Sequence, residues 1–226
     1  MNDKEHVAKH AAGLVKDGML VGLGTGSTAD CFITELARRR NEENLQVTTV
    51  SSSIISMIKA QELGLPMMAV EHLTGLDLYV DGADEVTPGN TLLKGQGADL
   101  VREKLLARAC EEFIVLVDQS KRVAQIGEKF SIPIEVMPFA WQLVKQRLEE
   151  IGGQGELRPN GNGSGLAVTS YGSLVLDIKF DPELEISQLD AILNATPGVV
   201  EHGIFYKLAS LVLCSVDGEI QEIAST

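Results

Sequence analysis

Residues 19–30 read MLVGLGTGSTAD, and this stretch carries the strongest evidence for the fold. Its apolar beginning, Met19–Leu23, predicts a strand, and the stretch near Thr28–Arg40 predicts a helix. The glycines between them are typical of a tight strand-to-helix turn. One β-α unit is therefore predicted here.

The same alternation of short apolar runs and amphipathic stretches extends from Gly18 to Ser120. Further strands are predicted at Gln46–Val50, Leu76–Val80 and Phe113–Val117. Further helices are predicted near Ile54–Leu63 and Ala98–Glu111. Successive β-α units form a mostly parallel sheet, and open sheets of this kind bind their ligands at the strand ends.

The alternation stops near Phe130, where SIPIEVMP places Pro133 and Pro138 in an apolar run before the helical stretch FAWQLVKQRLEEIGG. Two antiparallel strands are predicted in ELRPNGNGSGLAVTSYGSLVLDIKF, and a helix, a turn and a strand in ISQLDAILNATPGVVEHGIF. The final run, LASLVLCSV, predicts a strand that returns to the first sheet. We therefore predict an α/β fold. A Rossmann-like, mostly parallel sheet with helices on both faces occupies residues 1–130 and 207–226, and a smaller α+β, ferredoxin-like domain occupies residues 131–206.

Composition excludes several classes of function. The net charge of -13 argues against nucleic-acid binding, which needs a basic surface. Cys31, Cys110 and Cys214 have no C-x-x-C spacing, so neither a disulfide framework nor a zinc cluster is predicted. The N-terminal MNDKEHVAKH is charged, and no later stretch approaches the ~18 apolar residues of a membrane span. We expect a globular, cytoplasmic protein that binds neither nucleic acid nor membrane.

The turn VGLGTGSTAD, residues 21–30, has the composition of an anion-binding site. Backbone N–H groups and the positive end of the following helix can bind a phosphate, and Thr25, Ser27 and Thr28 add hydroxyl groups. A dinucleotide-binding G-x-G-x-x-G would need glycine at position 27, and no G-K-[ST] indicates a nucleotide P-loop. A plain structural turn remains the alternative.

Two carboxylates follow an apolar strand in YVDGADEV, residues 79–86. Asp81 and Asp84 are three residues apart, so both side chains can face one cleft and exchange protons with substrate hydroxyl groups. The alternative is an Asx turn that caps a neighbouring loop.

The segment LLKGQGADLVREKLL, residues 92–106, places Lys94 before a glycine turn and Glu103 on the next helix. Lys94 can neutralise the charge that develops on an oxyanion. Burial would raise the pKa of Glu103, whereas its cationic neighbours Arg102 and Lys104 would lower it. The alternative for Glu103 is a solvated helix position.

Lys121 follows another predicted strand in VDQSKRV, residues 117–123, where a solvated loop lysine is the alternative. Four strand ends thus carry the polar and charged groups that a sugar phosphate needs. Because the carboxyl ends of parallel strands meet at one edge of a sheet, we expect these groups to converge on one cleft.

The segments GLGTGSTA, SSS, YVDGADEV, KGQGADLVREK and VDQSKRV, in this order, resemble the ribose-5-phosphate isomerase A family. The resemblance extends over nearly the whole chain, through PIEVMP and ATPGVV, and is weaker between Gly153 and Ser173. It rests on the VDGADE and K-G-x-G-A-x-x-x-R-E-K segments, which are specific as a pair. It implies an aldose-ketose isomerase that interconverts D-ribose 5-phosphate and D-ribulose 5-phosphate in the non-oxidative branch of the pentose phosphate pathway.

The resemblance also implies a role for each matching residue. Glu103 is the implied base that forms a cis-enediolate, Asp81 and Asp84 carry hydroxyl protons, and Lys94 stabilises the anionic intermediate. The implied substrate-binding residues are Thr25, Gly26, Ser27, Thr28, Asp81, Gly82, Ala83, Asp84, Lys94, Gly95, Gln96, Gly97 and Lys121. No metal and no cofactor are implied, and the chain is expected to form a homodimer or a tetramer. The family has another phosphate-contacting lysine near the position of Lys4, but an exposed helix lysine is favoured there, and Lys4 is not among the predicted site residues.

The sequence departs from the family at two positions in the lysine segment: Gln96 stands where glycine is usual, and Asp99 where a small residue is usual. If position 96 adopts φ > 0, a glutamine there costs about 1 kcal/mol. Asp99 in a first helical turn favours the positive end of the helix dipole. Two alternatives stay open: a non-catalytic sugar-phosphate sensor, and another enzyme of similar architecture such as an amino-sugar phosphate isomerase or a coenzyme A transferase.

Overall fold

The computed structural model describes residues 2–216 and 218–224, so the outer limits of the predicted domains, at residues 1 and 226, lie outside the described residues. The strands are β1 (Leu20–Leu23), β2 (Thr48–Ser51), β3 (Leu76–Gly82), β4 (Glu85–Val86), β5 (Leu92–Leu93), β6 (Cys110–Asp118), β7 (Ile132–Val136), β8 (Gln154–Leu157), β9 (Leu174–Lys179), β10 (Val199–His202), β11 (Ile204–Phe205), β12 (Leu211–Val216) and β13 (Glu219–Ala224). The α-helices are α1 (Asp3–Leu14), α2 (Ser27–Glu43), α3 (Ile54–Glu62), α4 (Leu100–Ala109), α5 (Trp141–Glu149) and α6 (Ile186–Ala195). None of the helices in the described residues is both long enough and apolar enough to cross a membrane.

Two compact units divide the chain. Unit 1 comprises Met1–Ala83, Arg102–Arg122 and Lys207–Thr226, and unit 2 comprises Asp84–Val101 and Val123–Tyr206. Residues 84–101 and 123–130 therefore lie in unit 2, although the predicted domain limit is at residue 130. The predicted limits of independently folding domains stay a prediction, because compactness alone does not establish independent folding.

Unit 1 contains a six-stranded sheet in the order β13-β12-β6-β3-β1-β2. Every neighbouring pair is parallel except β12 and β13, which are antiparallel. The parallel pairing of β12 with β6 confirms that the last apolar run returns to the first sheet. The α/β fold class with a mostly parallel sheet is thus confirmed, and burial of such strands on both faces explains their nearly continuous apolar runs.

The core of unit 1 lies between one face of this sheet and the helices α1, α2 and α3. Leu78 and Val80 of β3 point into it, together with Phe32 and Leu36 of α2. Because side chains alternate along a strand, the intervening Tyr79 points to the opposite face. There its ring stacks on Phe113 of β6, with 4.9 Å between the ring centroids.

Unit 2 contains two antiparallel sheets, a four-stranded one in the order β10-β7-β9-β8 and a three-stranded one in the order β11-β5-β4. The pairing of β8 with β9 confirms the two antiparallel strands predicted between residues 156 and 180. Apolar side chains of α5 and α6 pack with those of the larger sheet, which gives the predicted α+β character. The smaller sheet is not predicted from the sequence, because β4, β5 and β11 have two residues each.

Glu135, on the central strand β7 of unit 2, is a buried carboxyl group with 1% exposure. Burial raises its pKa, and hydrogen bonds from Thr169 and Ser173 oppose this effect. The negative charges of Glu201 and Asp99 raise the pKa further. Glu201 stands opposite Glu135 on β10, so two acidic residues face each other across the strand pair.

We expect Glu135→Gln to change the pH dependence of stability. Because folding raises the pKa of Glu135, the native state binds this proton more tightly than the unfolded chain does. That stabilisation is complete below the unfolded pKa and is lost as the pH rises through the folded pKa. The wild type should therefore lose stability relative to the variant between about pH 4.5 and about pH 7.5.

Urea unfolding of wild type and Glu135→Gln at both pH values measures this difference. Glu183→Gln is the matched control, because Glu183 is an exposed glutamate of the same unit. A stability difference between wild type and Glu135→Gln that stays constant with pH would contradict the expectation.

Candidate active site

The glycine-rich turn between β1 and α2 is shaped by two glycines. A Cβ atom added at Gly24 would lie 2.2 Å from the carboxyl carbon of Asp81, so no side chain fits there. Gly26 has φ 96° and directly precedes α2, whose first residue Ser27 is exposed. The turn therefore presents the N-terminus of α2 at an accessible loop, which is a favourable place for an anion.

Lys4 contacts this turn although it is not among the residues predicted from the sequence. Its Nζ donates to Ser27 Oγ over 2.8 Å. Asn2 and Glu5 form a capping box that begins α1 and so fixes the first turn in which Lys4 lies. Nothing local in the sequence reveals this contact, because the two partners are 23 residues apart.

Lys121 lies in a short 3₁₀ helix, Gln119–Lys121, that follows β6. The Asp118 side chain caps this helix by accepting from Ser120 N over 2.8 Å. An open cavity of about 470 Å³ adjoins this helix and includes Lys4, Asp118 and Ser120 in its lining. The structure thus places cations from two elements of unit 1 near the ends of its parallel strands.

Asp81, the penultimate residue of β3, is fully buried and held by hydrogen bonds to both carboxylate oxygens. Its Oδ1 accepts from Thr25 N at 3.0 Å and from Gly82 N at 2.7 Å. Its Oδ2 accepts from the Tyr79 hydroxyl at 2.5 Å. The contact with Thr25 confirms that the glycine turn and the first carboxylate come together, as their strand-end positions predict.

Tyr79 is a site residue that the sequence alone does not single out. Burial raises its pKa well above the usual value, and the negative charges of Asp81 and Glu103 raise it further. The phenol therefore stays protonated and acts as a donor to Asp81. Ser52 also hydrogen-bonds the phenol, and its hydroxyl lies 3.0 Å from that of Thr25, which extends the network to the glycine turn.

Glu103 lies on α4 and is only 5% exposed, so the alternative of a solvated helix position is wrong. Its negative charge is one of the causes of the raised pKa of Tyr79. The adjacent Lys104 is also buried, at 2% exposure. Unit 1 therefore holds Asp81 and Glu103 as buried carboxyl groups, and the charge of each raises the pKa of Tyr79.

Lys94 of unit 2 is a buried lysine, 4% exposed, that directly follows β5. Its ammonium lies 5.6 Å from the centre of the Phe205 ring, within the range of a cation–π contact. Its backbone N–H donates to Gly203 O over 2.9 Å. A Cβ atom added at Gly203 would lie 2.3 Å from the Lys94 carbonyl oxygen, so glycine is required for this close approach.

Asp84 and the loop after Lys94 are joined within unit 2. The backbone N–H of Asp84 donates to Leu93 O over 2.8 Å, and the N–H of Gln96 donates to Asp84 Oδ2 over 3.3 Å. Asp84 therefore does more than cap its own turn, because its carboxylate also accepts from the lysine loop. Gly82 ends β3, Ala83 connects it to β4, and Gly97 is an exposed turn residue.

The backbone at Gln96 does not need the strained conformation considered from the sequence. Positive φ values in this segment occur at Gly95 (101°) and Ala98 (63°), whereas Gln96 has none. The cost of about 1 kcal/mol for a left-handed residue with a Cβ atom therefore falls on Ala98. Asp99 directly precedes α4 and accepts from the Ser170 hydroxyl over 3.2 Å.

The predicted site residues thus form two sets, each within one unit. In unit 1, Thr25 contacts Asp81, and the pair is linked through Tyr79 to Glu103. In unit 2, the Gln96 N–H donates to Asp84, and Gln96 lies two residues after Lys94 in the same loop. In the part of the chain that the structure describes, no group of His, Cys, Asp and Glu side chains is arranged to hold a metal ion. The predicted absence of a metal stays a prediction.

Two family models match the sequence. Residues 48–218 match the model for ribose 5-phosphate isomerase A, also called phosphoriboisomerase A. Residues 1–70 match the model for the DeoR C-terminal sensor domain. The first match covers most of the chain and includes the segments that carry Asp81, Asp84, Lys94, Glu103 and Lys121.

Individual relatives agree with the longer match. A ribose-5-phosphate isomerase A from Synechococcus sp. is 44% identical over 218 residues, which cover 96% of this chain and 94% of the relative. The solved ribose 5-phosphate isomerase A from Methanocaldococcus jannaschii has a TM-score of 0.93 and 38% identity, over 98% of this chain and 97% of that one. A D-ribose-5-phosphate isomerase solved in complex with phospho-erythronic acid has a TM-score of 0.95 and 34% identity, over 99% of this chain and 100% of that one.

Proposed function

The chain belongs to the ribose 5-phosphate isomerase A family, and from this premise we propose that it interconverts D-ribose 5-phosphate and D-ribulose 5-phosphate. The reaction is an acid/base isomerisation through a cis-enediolate, and it serves the non-oxidative branch of the pentose phosphate pathway.

The observation that carries the proposal is the environment of Glu103. An isomerase of this kind needs a carboxylate that is shielded from water and close to other proton-transfer groups. Glu103 is 5% exposed, and its charge acts on the Tyr79 phenol, which in turn donates to Asp81. Glu103 and Asp81 are both buried in unit 1, and because burial of a carboxyl group has a desolvation cost, such groups are typical of functional sites.

The substrate phosphate binds at the N-terminus of α2. The N–H groups and hydroxyls of Thr25, Ser27 and Thr28 donate to its oxygens, with Gly26 allowing close approach of the backbone. Lys4, whose ammonium already contacts Ser27, and Lys121 supply positive charge. This is compatible with the acidic net charge of the chain, because contacts at hydrogen-bond distance are little affected by distant, screened charges.

Ring opening precedes isomerisation, because the furanose form has no free carbonyl group. One carboxyl group accepts the proton of the anomeric hydroxyl while a second group returns a proton to the ring oxygen. Asp81 and Asp84 carry these protons. The hydrogen bonds that fix Asp81 Oδ1 and Oδ2 to Thr25, Gly82 and Tyr79 hold its carboxylate in one orientation during this step.

Glu103 then removes the proton from C2 of the open-chain aldose, and the electron pair forms the C1–C2 double bond while negative charge develops on O1. A proton passes from the C2 hydroxyl to O1, and the protonated Glu103 returns its proton to C1, which leaves the carbonyl group at C2. Lys94 stabilises the negative charge of the enediolate, and burial strengthens this interaction.

A chelator-treated assay tests the proposal. Purified protein in excess EDTA is mixed with ribose 5-phosphate, and formation of the ketose is followed. We expect turnover without added metal, and lower or no turnover with hexose and amino-sugar phosphates. Folded protein that is inactive, or that needs an added metal ion, would contradict the proposed function.

A sugar-phosphate sensor is a second candidate, because the DeoR C-terminal sensor domain model matches residues 1–70. A sensor would bind ribose 5-phosphate, and its melting temperature would rise without turnover. The assay therefore distinguishes the two candidates when it is run beside a thermal shift with the same ligand. The match to the sensor-domain model ends before the segments that carry Asp81, Lys94 and Glu103, but it includes the glycine-rich turn. It therefore favours a shared anion-binding turn.

Tyr79→Phe is expected to lower kcat about 10- to 100-fold, because a hydrogen bond to a charged group contributes about 1.5–3 kcal/mol. The ring that stacks on Phe113 remains, so the change is confined to the hydroxyl group, which donates to Asp81 and also hydrogen-bonds Ser52. Steady-state kinetics separate kcat from KM, which should change little. Ser210→Ala is the control, because it removes a different side-chain hydrogen bond of the same unit, the one that the Ser210 hydroxyl accepts from the Phe113 N–H. A Tyr79→Phe variant with the wild-type kcat would exclude this role.

We also propose that the protein forms a homo-oligomer, either a dimer or a tetramer, and that it is cytoplasmic. The apolar side chains Phe139 and Leu143 of unit 2 are 85% and 72% exposed, which is unusual for side chains that stay in water. Light scattering on the purified protein measures the oligomeric state, and a monomer at micromolar concentration would contradict this part.

A further inference from the structure

Arg158 directly follows β8 and is fixed by a bidentate ion pair. Its Nε and Nη2 donate to the two carboxylate oxygens of Asp177 on β9, at 2.8 and 2.6 Å. Its side chain is 12% exposed, so this pair is much less solvated than a surface salt bridge. Its backbone N–H donates to Val175 O, which ties the residue to β9 a second time. The guanidinium plane therefore has one preferred orientation.

The third nitrogen of Arg158 contacts the loop that follows Lys94. Its Nη1 donates to Gly95 O at 3.0 Å and to Gln96 O at 3.1 Å. These residues are more than 60 positions away in the sequence, so the contacts tie the loop to a distant part of unit 2. A loop that contains Gly95 and Gly97 has little conformational preference of its own, and it needs such contacts to hold one shape.

The same loop bonds on its other side to a proposed catalytic residue. The N–H of Gln96 donates to Asp84 Oδ2. Gln96 is also joined to Lys94 along the backbone through Gly95. An unbroken series of contacts therefore runs from Asp177 through Arg158 to the loop carbonyls, and from the loop to Asp84. Loss of the guanidinium would free two carbonyl groups and with them the backbone that orients Asp84 and Lys94.

We propose that Arg158, oriented by Asp177, is a positioning residue for the isomerase reaction: it holds the loop of residues 94–97 in the shape that catalysis needs. This inference rests on the proposed function. Arg158 itself touches none of the reacting atoms, and it acts through the backbone of Gly95 and Gln96. Lysine cannot replace it, because one ammonium group cannot bind a carboxylate bidentately and two carbonyl groups at the same time.

A kinetic experiment with chemical rescue tests this role. Wild type, Arg158→Ala, Arg158→Lys and the milder Asp177→Asn are compared for turnover of ribose 5-phosphate, with and without about 20 mM guanidinium chloride, a concentration far below the molar range that unfolds proteins. We expect kcat of Arg158→Ala to fall about 10- to 100-fold with a smaller change in KM, because the loss is one of positioning. Guanidinium should restore part of this kcat, whereas sodium chloride at equal ionic strength should not.

Two controls separate positioning from stability. Arg147→Ala removes an exposed arginine of the same unit that pairs with Glu150, and it should leave kcat unchanged and insensitive to guanidinium. Urea unfolding shows how much of each preparation is folded. A wild-type kcat in Arg158→Ala, or a loss that follows the folded fraction and is not restored by guanidinium, would overturn the inference.

Hydrogen exchange gives a readout that does not depend on activity. The Gln96 and Ala98 amides, which donate to Asp84 Oδ2 and Gly95 O, should exchange at least about tenfold faster in Arg158→Ala, while the amides of β7 and β9 keep their rates. If the wild type itself lacks turnover, the proposed function fails, and the exchange of these two amides alone decides whether Arg158 holds the loop. Unchanged exchange there would overturn that role as well.

Discussion

Replacing Glu103 by glutamine is expected to lower kcat for ribose 5-phosphate about 10²- to 10⁴-fold while KM changes little. Glutamine has nearly the same shape as glutamate but cannot accept the C2 proton. The proposed proton transfer occurs only in the transition state, so its loss should appear in kcat and not in substrate binding.

The position of Glu103 makes the glutamine variant a clean test. The side chain is 5% exposed in a packed region of unit 1, so a larger change of shape would risk unfolding. Removing its negative charge also removes a cause of the raised pKa of Tyr79. The variant should remain folded, because glutamine keeps the size and shape of the glutamate side chain at this buried position.

Deuterium provides a second measurement of the same step. Wild type in D₂O should introduce solvent deuterium at C1 of the ketose, because a carboxyl base exchanges its proton with solvent during some turnovers. Glu103→Gln should lose this incorporation, and Glu112→Gln, at an exposed position on β6, should keep both kcat and exchange. A Glu103→Gln variant that isomerises at a near-normal rate would remove Glu103 from its proposed role.

The parallel sheet is the part of the fold that the sequence predicts best. Its strands are largely buried, so β1, β3 and β6 stand out as mostly apolar runs, whereas β2 has Thr or Ser at three of its four positions and is indicated by its β-branched residues. The errors are at element ends. The stretch predicted as helix over 98–111 contains α4 and then, without a connecting loop, the first residues of β6. A helix that runs directly into a strand has no turn residues to mark the change.

The small sheet of unit 2 shows what periodicity cannot predict. β5 pairs with β11 through Leu92 and Phe205, which are more than one hundred residues apart in the sequence. A two-residue strand has no repeating pattern, and it is stable only because its partner is already in place. Lys94 directly follows this strand, so the position of a predicted site residue depends on pairing that the sequence does not indicate.

In the candidate site, too, the positions that follow from local sequence are predicted, and those that depend on distant contacts are not. Thr25 and Asp81 are predicted to meet because both follow strands of one parallel sheet, and the hydrogen bond between them confirms this. Lys4, Tyr79 and Arg158 are not predicted, because each acts through a contact across the fold. Tyr79 carries one usable signal: it lies two residues before Asp81 on a strand, so both side chains point to the same face.

Lys94→Met is expected to lower kcat about 10²- to 10³-fold, which is the usual cost of losing one group that stabilises an oxyanion. Methionine keeps a long unbranched side chain, so contact with the Phe205 ring can persist while the positive charge is lost. The variant should remain folded, because methionine fills much of the volume of the lysine side chain at this 4% exposed position. Steady-state kinetics and urea unfolding measure both expectations.

A second lysine variant separates stabilisation of the enediolate from binding of the phosphate. Lys121→Met should raise KM with little change in kcat, because a phosphate contact is the same in the ground state and the transition state. Lys179→Met, at an exposed position on β9, should change neither. If Lys94→Met instead raises KM and keeps kcat, Lys94 binds the ground state, and the charge of the enediolate must be stabilised by another group.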